Sequence, residues 1–65
     1  MFNIIKVYNE ALNELAAAKT YQHFLSLTPK EKIKERKEIY QTLGENAFIH
    51  FQYLKDCYNK HKERL

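Results

Sequence analysis

The chain has 65 residues, one cysteine and a formal net charge of +3. That length allows one domain, residues 1–65, with a marginal core, and the lone Cys57 excludes an internal disulfide and fits a reducing, cytoplasmic compartment. With a single glycine and a single proline against abundant Ala, Leu, Glu, Lys and Gln, there are too few turn residues for a β-rich fold. The composition therefore predicts an all-α protein of two long or three short helices, a helical hairpin or small bundle completed by dimerisation.

The first fifteen residues mix apolar side chains with Asn3, Lys6, Asn9, Glu10, Asn13 and Glu14, so no signal peptide or membrane span is expected there. Ile4, Ile5, Tyr8, Ala11, Leu12, Leu15 and Ala18 recur at the spacing of one helical face. They predict a first helix over about 3–25, beginning at Phe2 or Asn3 and ending between Lys19 and Leu25. The run Ala16–Ala18 favours helix and is small enough for another helix to approach closely.

Thr28-Pro29-Lys30-Glu31 is the sharpest local signal. A threonine hydroxyl can accept from the free amides of the turn that follows, and proline at the first helical position forfeits no hydrogen bond. Glutamate three residues on can reach back to the threonine amide. A break at Ser26–Thr28 and a second helix over 29–43 follow. Its opening alternates charge from Lys30 to Glu38, leaving a narrow apolar face of Ile33, Ile39, Tyr40 and Leu43 with Arg36 alongside.

Gly44 then either ends this helix, with Asn46 capping the next, or lies inside a continuous helix at about 1 kcal/mol relative to alanine. The break is the favoured reading and gives a third helix over 46–63. Ala47, Phe51, Leu54, Tyr58 and Leu65 form its main stripe, and Phe48, Ile49 and Tyr53 widen it. Lys60, Lys62 and Arg64 suit the negative end of the helix dipole.

The residues of chemical interest form no recognisable catalytic or metal set. His50, Cys57 and His61 are spaced seven and four apart, but zinc needs further ligands and only His23 is otherwise to hand. A thiol nucleophile needs a positioned base and a cavity, for which this chain has little room. No catalytic residue, metal ligand or cofactor is expected, and the protein is not expected to be an enzyme. A helix-turn-helix reading around Gly44 also fails. Tyr40 and His50 stand where small and apolar residues belong, and Asn46–Phe51 offers no Arg or Lys to a groove, with Phe48, Ile49 and Phe51 reading as packing residues.

Two surface readings remain. Lys30, Lys34 and Lys37 share a face and are candidate phosphate contacts, diluted by Glu31, Glu35 and Glu38; nucleic acid is the less favoured partner. Residues 1–28 balance to zero, so the whole positive excess follows Pro29. The nine aromatics, Phe2, Tyr8, Tyr21, Phe24, Tyr40, Phe48, Phe51, Tyr53 and Tyr58, exceed what so small a core can enclose, and Tyr and Phe are favoured at protein interfaces. The favoured function is a protein-binding module, a regulator, inhibitor or adaptor. Tyr8, Leu12, Leu15, Phe48, Phe51, Leu54 and Tyr58 are its candidate partner or homodimer interface.

Overall fold

The computed structural model describes residues 3–65. Phe2, one of the nine aromatics and a candidate first helical residue, lies outside the described residues. Asn3 adopts an extended backbone and its side chain accepts from the Lys6 amide at 3.1 Å, which caps helix α1, Ile4–Ser26. Leu27 returns to extended backbone, and α2, Pro29–Leu43, begins as the sequence predicts. The Glu31 amide donates to Thr28 Oγ1 at 3.2 Å while the Thr28 amide donates to Glu31 Oε1 at 3.0 Å. The box holds the Glu31 carboxylate below the usual range, chiefly through the bond from the Thr28 amide. With α3, Asn46–His61, and a 3-10 turn at Lys62–Arg64, the described residues are 90 % helical and contain no strand.

The chain breaks at Gly44, whose φ of +58° and ψ of −134° are open only to glycine. Its amide donates to the Tyr40 carbonyl and its carbonyl accepts from Ala47 at 3.0 Å. That turn starts α3 one residue earlier than a cap at Asn46 requires. Asn46 is the first helical residue, and Glu45 stands at the cap position without a side-chain hydrogen bond. The α-helix ends at His61, and the last residues tighten into the 3-10 turn, with the Leu65 amide donating to the Lys62 carbonyl.

α1 and α3 pack antiparallel. Glu14 meets Lys60 and His61, Tyr21 meets Tyr58, and Phe24 meets Phe51, so residue numbers rise along one helix as they fall along the other. Between them lies the core of Ala17, Ala18, Leu54 and Cys57, with Tyr21 and Tyr58 half-buried against it. Small residues at the contact, including Ala47 farther along α3, bring the backbones close, and dispersion across that short gap supplies the cohesion.

α2 contributes no buried residue. It rests on the other two helices through half-buried Ile39, through Tyr40 against Phe51, and through Arg36 over the Phe24 ring at 5.4 Å. The narrow apolar face expected for α2 is narrower still, because Ile33 is 69 % and Leu43 39 % exposed. Three helices arranged in this way give a flat slab of 45 × 27 × 13 Å.

Candidate interaction surface

The buried stripe of α3 runs Ala47, Leu54 and Cys57, with His50, Phe51, Tyr58 and His61 half-buried along it. Phe48 and Ile49 stand about 100° and 200° around the helix from Ala47, which points them away from α1. Both are 67 % exposed, which corrects their reading as packing residues. Of the residues proposed for an interface, Leu54 is buried in the α1–α3 core, and Leu15, Phe51 and Tyr58 are half-buried at its edge. Tyr8, Leu12 and Phe48 are open to solvent.

Two apolar surfaces result, at opposite ends of α1. At its N-terminal end every residue from Asn3 to Asn13 is exposed, because α3 reaches only as far as Glu14. Ile4 is 72 %, Ile5 73 % and Tyr8 62 % exposed, and Tyr8, Ala11, Leu12 and Leu15 line a shallow groove closed on one side by His61 and Arg64. The outer members of this stripe, Ile4, Ile5, Tyr8 and Leu12, lie around α1 from Glu14, Ala17, Tyr21 and Phe24, whereas Leu15 is half-buried and Ala18 belongs to the core. A further helix could lie along those outer residues, beside His61 and Arg64, without displacing α3.

At the other end, α2 stands off from the α1–α3 pair and leaves a cleft of about 420 Å³. This corrects the expectation that a chain of this length has little room for a cavity: the space lies between helices and is not enclosed within one core. Tyr21 and Phe24 come from α1, Arg36 and Tyr40 from α2, and Phe48, Phe51, Gln52 and Lys55 from α3. Its rings meet at tilted angles, Phe24 to Phe51 at 53° and Tyr40 to Phe51 at 37°, with centroids 5.9 and 6.2 Å apart. Gln52 is tied to Asp56 one turn on by a 3.0 Å hydrogen bond.

Among the described residues, the one polar cluster that links helices is built on Glu14. Lys60 Nζ donates to both carboxylate oxygens, at 3.2 and 3.0 Å, and His61 Nε2 donates to Oε2 at 2.9 Å. Those bonds, His61's first and then Lys60's, hold the Glu14 carboxyl below the usual carboxylate range. His61 is thereby engaged with Glu14, while Cys57 lies buried among alanines and Leu54. Tyr53, one turn before Cys57, has its hydroxyl pKa raised by the neighbouring Cys57 side chain and by desolvation.

Among the described residues no three His, Cys, Asp or Glu side chains converge as a metal-ligand group, and no helix is long and apolar enough to cross a membrane. Lys30, Lys34 and Lys37 are exposed along α2. The chain matches no protein-family model, no curated protein and no solved structure.

Proposed function

We propose that this is a non-enzymatic protein-binding module, a regulator, inhibitor or adaptor, that pairs with a second copy of itself and presents an aromatic helical surface to another protein. The observation that carries this reading is the mismatch between core and surface. Only Ala17, Ala18, Phe24, Ala47, Leu54 and Cys57 are buried among the described apolar residues, whereas Ile4, Ile5, Tyr8, Phe48 and Ile49 are each more than 60 % exposed. Exposed apolar surface on this scale favours association, and two separate patches accommodate two different contacts. Self-pairing through α1 leaves the Phe48–Ile49 end free for another protein.

Affinity capture from host extract with the wild type and with Phe48→Ser/Ile49→Ser tests the second contact. Both side chains face solvent, so the variant keeps its fold. A partner retained by the wild type and lost by the variant supports the reading; an identical set of bound proteins from both removes it.

A second reading assigns nucleic acid to α2, and one observation favours it. Lys30, Lys34 and Lys37 are exposed and, among the described residues, the ion pairs involve only Lys60 and His61 with Glu14. Phosphate binding there implies duplex affinity that falls steeply with salt and is abolished by changing all three lysines to glutamate. Absence of binding at low ionic strength would leave the stripe as a solvated face.

A further inference from the structure

We infer that the cleft between α2 and the α1–α3 pair is a docking site for an acidic segment of a partner protein, inserted through an aromatic or long aliphatic anchor. The inference rests on the protein-binding reading above and names the partner's chemistry. Its volume, about 420 Å³, falls within the range of sites that enclose a ligand group. Phe51 and Tyr40 line it, Phe24 closes its floor with Arg36 over its ring, and Phe48, largely exposed, borders it. Such a cup takes an apolar side chain.

The charge at the rim selects what flanks that anchor. Arg36 and Lys55 both border the cleft, and neither forms an ion pair with a carboxylate among the described residues. Arg36 is instead held over Phe24 at 5.4 Å, which fixes its guanidinium beside the cavity with donors free for a carboxylate. An anchor flanked by Asp or Glu complements both features, whereas a basic segment would meet two like charges. Single-stranded nucleic acid also combines rings with negative charge, but it stacks on ring faces presented in common. Here the rings lie tilted against one another, at 33° for Tyr21 with Phe24 and 53° for Phe24 with Phe51. Gln52, the side-chain amide at the cleft, is already bonded to Asp56.

A displayed random dodecapeptide library, panned on the full chain, provides the test. The expected outcome is enrichment of peptides that place Phe, Trp or Leu beside two or more carboxylates, with affinity falling about tenfold or more on Lys55→Glu and on Arg36→Gln. Lys55→Glu is the cleaner variant, since Arg36→Gln also removes the contact with Phe24; unchanged circular dichroism certifies the fold of each. Enriched peptides without acidic residues, or binding indifferent to both variants, would overturn the acidic assignment while leaving a protein-binding cleft. No enrichment at all overturns the cleft as a docking site. Displacement of the peptides by oligothymidylate reassigns it to nucleic acid.

Discussion

Glu14 and Thr28 show what single residues contribute and how legible each is. Thr28 and Glu31 are three residues apart, so their reciprocal hydrogen bonds depend only on local helix geometry and can be read from the sequence. Replacing Thr28 by Ala is expected to cost about 1 kcal/mol, measured by urea denaturation; an unchanged midpoint would show that the cap contributes nothing. Glu14 meets residues 46 and 47 positions away, and that pairing depends on the register of α1 against α3, which no local pattern encodes. Its lowered pKa has a definite consequence. A carboxylate bound more tightly to its charged form in the fold stabilises the protein fully above its ordinary pKa of about 4.3, and that stabilisation is lost as pH falls through the lowered folded value. Glu14→Gln should therefore be less stable than the wild type near neutrality, and thermal melts of the two should converge as pH drops below the ordinary carboxylate value. A gap that persists in acid would mean that Glu14 acts through packing rather than charge.

At the scale of elements, helix boundaries were legible wherever the chain carries capping or breaking chemistry. Pro29 and Gly44 mark breaks because their preferred geometries are incompatible with an uninterrupted helix, and Thr28 marks one because its hydroxyl caps the helix that follows. The orientation of each helix was less legible. α3 carries apolar residues on more than one face, and periodicity cannot say which face meets α1; the answer came from the small Ala47 and the Leu54–Cys57 pair, which permit close approach where Phe48 and Ile49 do not. α2 illustrates the reverse limit, since Ile33 fits an apolar stripe yet lies open, while Arg36 and Tyr40 meet the rings of Phe24 and Phe51 and Ile39 is half-buried. The turn between α2 and α3 rests on Gly44. A Cβ there would meet nothing within 4 Å, so space is not the constraint; the positive φ is. Gly44→Ala should destabilise the protein by about 1–3 kcal/mol, because alanine disfavours that backbone and favours running α2 straight into α3. Chemical denaturation would measure the loss, and higher helicity with lower stability would identify the fused helix. Equal stability would mean that the break does not depend on glycine.

For the whole molecule, the open question of physical chemistry is what covers the first three turns of α1. Most helical stability in a protein comes from a packed face rather than from propensity, and from Asn3 to Asn13 α1 has no fully or half-buried residue. Its apolar residues Ile4, Ile5, Tyr8 and Leu12 nevertheless keep strict helical spacing, with Lys6, Asn9, Glu10 and Asn13 largely on the other side. An isologous pairing of two α1 segments would bury that stripe on both chains at once, and the orientation of the stripe away from the α3 contact leaves room for it. The expected outcome is a dimer by multi-angle light scattering at micromolar concentration, with a melting temperature that rises with protein concentration. Ile5→Ser with Tyr8→Ser should yield a monomer whose helicity falls by the first turns of α1 while the α1–α3 core persists. Because both residues are exposed, the core offers no alternative route to that loss. A wild type that stays monomeric, with helicity near 90 % and a concentration-independent melt, would show that α1 holds its N-terminal turns by capping and propensity alone, and would remove self-pairing from the proposed function.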